Sequence, residues 1–347
     1  MKRTFQLGLP NGLFGDPLVV VRVRWLSRVL LLDCGDVAAL SGRTLLDVTD
    51  VLISHAHVDH IFGLGRLLRA RMHHLERPLR LIGPSGLADR VRSHLHGYTW
   101  NLVKAFPLDL TVVEIDRDAL VTRRFPREDG LEPVLVEERA WNGSAPVFQD
   151  DLLAVHSCKL HHGSTTSLGY RVTEHVALSV DAARLEQSGW PPGSWLDRLK
   201  SALRKGAADD ETIEVPGAGP HTIKVLRDQL IRERKGDSVA YAADLSDQPR
   251  NREALRRIAS SVRALVLEAH FLERDRDLAE RHAHLTAAAA GRLAKRLEPE
   301  ILCPFHVSSR YEKDEHSVWS ELEKNADPVR VEKLPAGDAG RPEQAPS

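Results

Sequence analysis

The feature that most constrains this chain is a group of four strong metal ligands within six residues, directly after a short apolar segment. Val51-Leu52-Ile53 is typical of the end of a buried strand, and Gly63 and Gly65 precede an apolar stretch of helical character. Between them lie His55, His57, Asp59 and His60. Side chains on such a loop can converge on one point, and imidazole with carboxylate donors suits zinc. A solvated histidine-rich turn is the alternative, but packing gives no reason for a surface loop to collect this set.

Composition limits the class of protein without choosing a function. The 347 residues suffice for one large domain or two smaller ones with a substantial core. Hydrophobic residues make up 42% and charged residues 28%, which is ordinary for a soluble globular protein. The formal net charge of -1 provides no global positive field, so any binding of nucleic acid requires a local basic patch.

Cysteine usage and the lack of long apolar runs bear on location. Cys34, Cys158 and Cys303 are far apart and lie in or beside apolar segments, which indicates buried free thiols in a reducing compartment. The basic N-terminus lacks the apolar core of a signal peptide, and no run is long enough to span a membrane. We therefore predict a soluble, cytoplasmic protein.

Three further apolar segments each end in a strong ligand. These ligands are His161 or His162, then Asp244 after residues 239–243, and His306 after residues 300–305. Neighbours on a strand point to opposite faces, so only one of the two adjacent histidines is expected to bind. The ends of strands are where α/β proteins gather their functional residues, so these ligands are expected to join the first loop.

Seven ligands are too many for one tetrahedral zinc ion but suit two metal ions that share a carboxylate. Our hypothesis divides them by position. The first metal takes His55, His57 and His162, the second takes Asp59, His60 and His306, and Asp244 bridges them.

Residues 187–237 differ from the rest of the chain and predict an inserted arm. A break rich in proline and glycine at 189–193 is followed by two predicted basic helices, the second at about 222–235. Their cations include Arg198 and Lys200. Such a segment is either a solvated insertion or an arm that binds a phosphate backbone. The remainder of residues 1–334 is predicted to form one domain, and residues 335–347 a disordered tail.

The spacing from His55 to His60 resembles the signature of the metallo-β-lactamase superfamily. From about Val29 to Tyr311 the chain resembles ribonuclease Z, the branch that trims the 3′ end of transfer RNA precursors. The segments that carry this resemblance are Asp33-Cys34-Gly35, Ile82-Gly83-Pro84-Ser85-Gly86-Leu87, His162 with Gly169-Tyr170, residues 241–244, Leu267-Glu268-Ala269 with His284-Leu285-Thr286, residues 306–311, and Pro191-Pro192-Gly193 with residues 196–200.

Three departures from the family pattern bear on the natural substrate more than on the metal chemistry. Residues 7–15 lack the family's Arg-Asn pair, and His270 stands where threonine is usual. An extra residue before Gly169 leaves the choice between His161 and His162 open.

The resemblance implies a four-layer αββα sandwich that binds two divalent metal ions, zinc first, with manganese or iron as alternatives. A hydroxide between the metals would attack the phosphorus, and Asp59 would orient this hydroxide. Glu268 with His284 would carry out proton transfer. It also implies a flexible arm that holds transfer RNA, and a homodimer. The predicted substrate contacts are Arg310, Ser308, Tyr98, Trp100, Arg198 and Lys200.

Two other functions fit the same residues. One is a hydrolase of this fold acting on a small cyclic phosphodiester, lactone or thioester. The other is a nucleic-acid-binding protein with a degenerate site, although a degenerate site is expected to have lost ligands.

Overall fold

Two large β-sheets form the centre of the protein. The computed structural model describes residues 3–24, 26–72, 78–99 and 109–337. Within them, the first sheet contains eight strands in chain order, with β3 to β6 parallel and the others antiparallel. Its strands are β1 (Phe5–Gly8), β2 (Val19–Val23), β3 (Arg28–Leu32), β4 (Val48–Leu52), β5 (Leu79–Pro84), β6 (Leu110–Ile115), β7 (Ala119–Arg124) and β8 (Val134–Ala140).

The second half of the chain supplies the other sheet and two short strand pairs. These strands are β9 (Phe148–Gln149), β10 (Leu153–His162), β11 (Thr165–Glu174), β12 (Val176–Val180), β13 (Thr212–Val215), β14 (Gly219–Thr222), β15 (Ile231–Lys235), β16 (Ser238–Ala242), β17 (Ala264–Glu268), β18 (Ile301–Phe305) and β19 (Arg330–Val331). The second sheet has the order β19-β18-β17-β16-β11-β10-β9, in which β16, β17 and β18 are parallel.

Helices cover the outer faces of both sheets, and further helices lie in the loops and in an insertion. The helices of the described residues are α1 (Gly42–Asp47), α2 (Val58–Ile61), α3 (Leu64–Arg71), α4 (Leu87–His96), α5 (Ala182–Ser188), α6 (Trp195–Arg204), α7 (Ile223–Leu230), α8 (Pro249–Ala259), α9 (Arg276–His282), α10 (Ala287–Leu297) and α11 (Glu315–Ala326). α1, α3 and α4 pack on the first sheet, and α8 to α11 on the second. No helix of the described residues is long and apolar enough to cross a membrane.

The layers follow from the apolar runs of the strands. β2 is buried at all five positions because one face meets the other sheet and the opposite face meets helices. Leu30 and Tyr170 lie in the core between the sheets, whereas Leu31 and Leu265 lie in the outer cores. The predicted αββα sandwich is therefore confirmed.

An insertion between β11 and β16, residues 176–235, has a hydrophobic core of its own, and we call it the arm. Trp195, Leu199 and Leu226 are fully buried within it. It begins earlier than the sequence pattern suggested, because β12 and β15 pair antiparallel at its base. The helix predicted at 222–235 is also shorter, since α7 ends at Leu230 and β15 follows directly. The described part of the predicted tail ends at residue 337.

Candidate metal centre

The predicted ligands meet at one edge of the sandwich because parallel strands present their carboxyl ends together. β4 ends three residues before His55, and β10 ends at His162. Asp244 and His306 follow the ends of β16 and β18. Residues far apart in sequence are thereby brought into contact.

The first cluster consists of His55, His57, His162 and Asp244, whose ligand atoms all lie within 4.8 Å of one another. Asp244 Oδ2 is 3.5 Å from His55 Nε2 and 3.4 Å from His162 Nε2. His161 lies elsewhere, and its backbone carbonyl accepts hydrogen bonds from Ser246 and from the Asn251 side chain. The structure thus places His162, not His161, beside the carboxylate.

The second cluster consists of Asp59, His60 and His306. Asp59 Oδ2 is 3.4 Å from His60 Nε2 and 3.5 Å from His306 Nε2. The other oxygen of Asp244, Oδ1, is 3.5 Å from His60 Nε2 and 2.9 Å from His306 Nδ1. Asp244 therefore presents one oxygen to each cluster, which is the arrangement expected of a bridging carboxylate.

The spacing and the unsatisfied atoms of these side chains fit metal ions. Two atoms each about 2.1 Å from a tetrahedral zinc ion lie about 3.4 Å apart, close to several of the separations observed. His60 Nε2, Asp244 Oδ1 and His306 Nδ1 are buried without a hydrogen bond in the described structure. The 2.9 Å approach of the last two atoms lacks hydrogen-bond geometry. Since buried polar atoms are normally paired, these three indicate a missing partner such as a cation.

Burial and neighbouring charges shift the pKa values of the predicted ligands. Burial, together with nearby His60, lowers the pKa of His55 to about 3, so His55 is neutral as a metal ligand must be. Burial raises the pKa of Asp244, but His306 and His60 outweigh burial and hold this pKa well below its ordinary value. Burial likewise opposes protonation of His306, yet Asp244 and Asp59 raise its pKa to about 9. A metal ion that binds His306 must therefore displace a proton.

The backbone is held in an uncommon conformation at the ligands themselves. Asp244 and His306 have φ angles of 51° and 53°, in the left-handed region that non-glycine residues rarely adopt. Such residues cost free energy, and they cluster at functional sites where the surrounding structure fixes them.

A buried aspartate to which the sequence pattern assigns no role orients one of the predicted ligands. Asp33 Oδ2 accepts hydrogen bonds from His60 Nδ1, Tyr241 and Ser54, each at 2.6 Å. Its Oδ1 accepts the Ser54 amide N–H. A carboxylate on Nδ1 leaves Nε2 as the coordinating nitrogen and fixes the ring. The signal in the sequence was an acid at the end of an apolar strand, the same signal that marked Asp244.

Glu268 and His284 form the predicted pair beside the clusters. Glu268 Oε2 lies 2.9 Å from His284 Nδ1, and Oε1 accepts the backbone N–H of Leu245. Burial disfavours the charged form of His284, but Glu268 outweighs burial and raises the pKa of the imidazole. His270 stacks on His284 with ring centroids 4.1 Å apart, and its Nδ1 is 2.8 Å from the His306 carbonyl oxygen.

The predicted substrate contacts lie in different places. Ser308 follows His306, and its amide donates to the His270 carbonyl. Arg310 lies over the Phe271 ring, 5.4 Å from its centroid. Tyr98 is 51% exposed beside His94 near Gly65, whereas Trp100 lies outside the described residues. Arg198 and Lys200 lie on α6 in the arm, an element that contributes no residue to either cluster.

Known proteins resemble this chain both in sequence and in fold. Ribonuclease Z of Deinococcus radiodurans is 32% identical over 312 residues, which cover 86% of this chain and 87% of that protein. The chain belongs to the ribonuclease Z family. Ribonuclease Z of Bacillus subtilis is 27% identical, over 86% of this chain and 83% of its own length. The resemblance expected from the motifs is therefore confirmed.

The solved structures agree with family membership at the level of fold. The short form of human tRNase Z has a TM-score of 0.54 and 18% identity, covering 96% of this chain and 97% of its own. The metallo-β-lactamase-fold protein YhfI of Bacillus subtilis has a TM-score of 0.51 and 16% identity, covering 96% and 98%. A sequence-family profile described as Anti-Pycsar protein Apyc1 also matches residues 22–106, the part that contains the His55–His60 loop. A ribonuclease Z family member with these clusters is a metal-dependent hydrolase.

Proposed function

We propose that this chain cleaves transfer RNA precursors at their 3′ end as a metal-dependent endoribonuclease. Membership of the ribonuclease Z family supports the substrate class. The observation that carries the chemistry is Asp244, which presents one oxygen to each of two ligand clusters.

Two divalent ions, which we propose to be zinc, would occupy these clusters. His55, His57 and His162 would hold one ion, Asp59, His60 and His306 the other, with Asp244 shared. When bound, such ions polarise a phosphodiester and lower the pKa of a coordinated water. Manganese or iron could use the same donors, so the metal found in the purified protein decides its identity.

The chain's own residues would orient the reactants and move protons. Asp59 keeps 36% of its side chain exposed, so its carboxylate can accept a hydrogen bond from the attacking water. Glu268 fixes His284 through Nδ1, which leaves Nε2 to give a proton to the leaving oxygen. The expected products are a 3′-hydroxyl and a 5′-phosphate.

We propose that the arm contacts the RNA, although its charge is nearly balanced. Residues 176–235 contain ten Lys and Arg against nine Asp and Glu. Several of these cations are paired, such as Lys200 with Asp197 at 2.7 Å and Arg227 with Asp209 at 2.5 Å. The proposal that the arm binds RNA is therefore supported by its being a separately folded element that includes Arg198, and less by its net charge.

Hydrolysis of a small cyclic phosphodiester is the second candidate. The nearly neutral arm favours it, because RNA held through its backbone normally needs an excess of unpaired cations. The two candidates share the metal centre and differ in whether the arm is required.

The experiment that tests the proposal compares substrates on one preparation. Metal content would be measured by mass spectrometry, and cleavage assayed on precursor transfer RNA, a cyclic nucleotide and bis-p-nitrophenyl phosphate. We expect two metal ions per chain, correct processing of the precursor, and loss of all activity in Asp244→Ala. Full activity of that variant, or of protein stripped of metal, would contradict the two-metal centre. Hydrolysis of the cyclic nucleotide with no precursor cleavage would favour the second candidate. Homodimer formation and a cytoplasmic location stay predictions.

A further inference from the structure

A cavity of about 570 Å³ opens directly beside the first metal cluster. His55 and Ala56 form the wall nearest the cluster. Three basic side chains line the remainder, Arg90, Arg117 and Lys159. Ser85, Thr165 and Thr166 add hydroxyl groups. A group that extends from a phosphate at the metal centre toward His55 would enter this cavity.

The three cations keep their charge available. Lys159 Nζ donates to the backbone carbonyls of Asp116 and Arg117, at 2.7 Å and 2.9 Å. Arg90 donates to the Gly86 carbonyl at 2.8 Å. Within the described part of the chain, no carboxylate oxygen lies within 4.0 Å of any of these three charged groups. Asp116 is the one acidic residue among the lining residues, so the cavity is positive overall.

A second cavity, of about 480 Å³, lies on the His284 side and gives a useful contrast. It contains Arg276 and Arg292, but both guanidinium groups are near Glu273, the first in close contact and the second at 3.8 Å. Glu280 and Asp247 line it as well. Its two arginines each have a carboxylate oxygen within 4.0 Å, unlike the three cations beside His55.

We propose that the cavity defined by Arg90, Arg117 and Lys159 binds a second, non-scissile phosphate of the substrate. Guanidinium and ammonium groups with unused donors bind phosphate oxygens through charge-assisted hydrogen bonds. A polynucleotide places another phosphate next to the one being cleaved, whereas a cyclic mononucleotide has none to offer. The inference rests on the proposed phosphodiesterase function and deepens it, because the cavity selects chains over single diesters.

Dinucleotides with and without a terminal phosphate test this. UpU, pUpU and UpUp would be measured as competitors of bis-p-nitrophenyl phosphate hydrolysis by the metal-loaded protein. We expect one of the two terminal phosphates to improve binding about tenfold over UpU, the gain of roughly one charge-assisted hydrogen bond. The ratio of the two affinities is compared between variants, so a change in a variant's rate of hydrolysis does not affect the comparison.

In Arg117→Ala the ratio should fall toward one, and further in Arg117→Ala combined with Lys159→Met. Arg256→Ala is the matched control, since Arg256 is an exposed arginine on α8 paired with Glu253, and it should keep the wild-type ratio. The proposal is overturned if neither phosphate improves binding, or if the double variant keeps the full gain.

Failure of the proposed function would look different. It would show as metal-loaded wild type that hydrolyses none of the diesters. Calorimetric titration of the same three dinucleotides measures the same affinity ratio without turnover, so it would still test phosphate binding in the cavity.

Discussion

Asp33 and Asp244 are both buried at strand ends, yet their surroundings give them different roles. Asp244 has an oxygen without any hydrogen bond, whereas Asp33 accepts hydrogen bonds at both oxygens. The sequence pattern predicted Asp244 as a ligand because its position repeats that of His306. It could not assign Asp33, because the partners His60 and Tyr241 lie 27 and 208 residues away. The side chains that form the two clusters were predictable from local spacing, while the residues that orient them depend on tertiary contacts.

Replacement of Asp33 should weaken metal binding without removing a ligand. In Asp33→Asn the anchor on His60 Nδ1 loses its charge, so we expect metal affinity to fall about 10–100-fold. Competition with a chromophoric chelator measures it. Tyr241→Phe removes one of the three bonds to Oδ2 and should have a smaller effect in the same direction. Exposed Asp118→Asn is the control, and unchanged affinity in Asp33→Asn would refute the orienting role.

Replacement of Glu268 should alter the pH dependence of catalysis. Glu268 raises the pKa of His284, so it keeps the imidazole protonated to higher pH. If His284 donates a proton, activity falls as pH rises through this pKa. Glu268→Gln should move that alkaline limb of the kcat profile to lower pH and reduce kcat about 100-fold or more, with metal content retained. An unshifted limb would show that another group supplies the proton.

At the scale of elements, the arm shows where prediction from one sequence ends. Ile223, Leu226 and Leu230 repeat at helical spacing, and α7 follows that pattern as expected. The next residues, Ile231–Lys235, are charged enough to continue an exposed helix, yet they form β15 because they pair with β12, whose residues lie 51 to 59 positions earlier. Long-range strand pairing is invisible to local periodicity, so the predicted helix was too long.

The arm's own core predicts that it can be disrupted separately. Trp195 is 1% exposed, and its Nε1 donates to the Pro191 carbonyl. Trp195→Ala should cost about 3–5 kcal/mol, most of it local to the arm. We expect faster proteolysis within residues 176–235 and weaker cleavage of precursor transfer RNA, with hydrolysis of bis-p-nitrophenyl phosphate retained. Val225→Ala, at a 39% exposed position on α7, is the control. Equal precursor cleavage by both variants would exclude the arm from RNA binding.

At the scale of the whole molecule, the two sheets are joined by charges at the end opposite the metal centre. Arg28, at the start of β3, donates to Asp150 at 2.6 Å, between β9 and β10 of the other sheet. It also contacts Asp50 at 3.2 Å, and Asp50 in turn accepts from Arg80 at 2.6 Å. Apolar runs alone indicated an α/β protein, and the family resemblance implied the four layers. The link through Arg28 depends on register between the sheets and was not predictable from spacing.

Loss of the Arg28–Asp150 link should destabilise the protein in a pH-dependent way. Burial raises the pKa of Asp150, but Arg28 and the backbone N–H groups of Leu152 and Leu153 outweigh it, so the net shift is downward. A lowered pKa means that the stabilisation is present above the ordinary value of 3.8 and is lost as pH falls below it. Asp150→Asn keeps an acceptor for the two N–H groups and removes the charge.

We therefore expect Asp150→Asn to lower the free energy of unfolding by about 1–2 kcal/mol at pH 7, as for one charged hydrogen bond at a partly exposed site. The difference between wild type and variant, measured by urea unfolding of chelator-treated proteins, should shrink as pH approaches 3. Bound metal would also be released as pH falls, in both proteins. Removing it beforehand with a chelator excludes this second pH-dependent event. Metal affinity at neutral pH should be unchanged, because the link lies at the far end of β3 from Asp33. If the difference in unfolding free energy stayed constant across pH, the destabilisation in Asp150→Asn would come from packing and not from the lost charge.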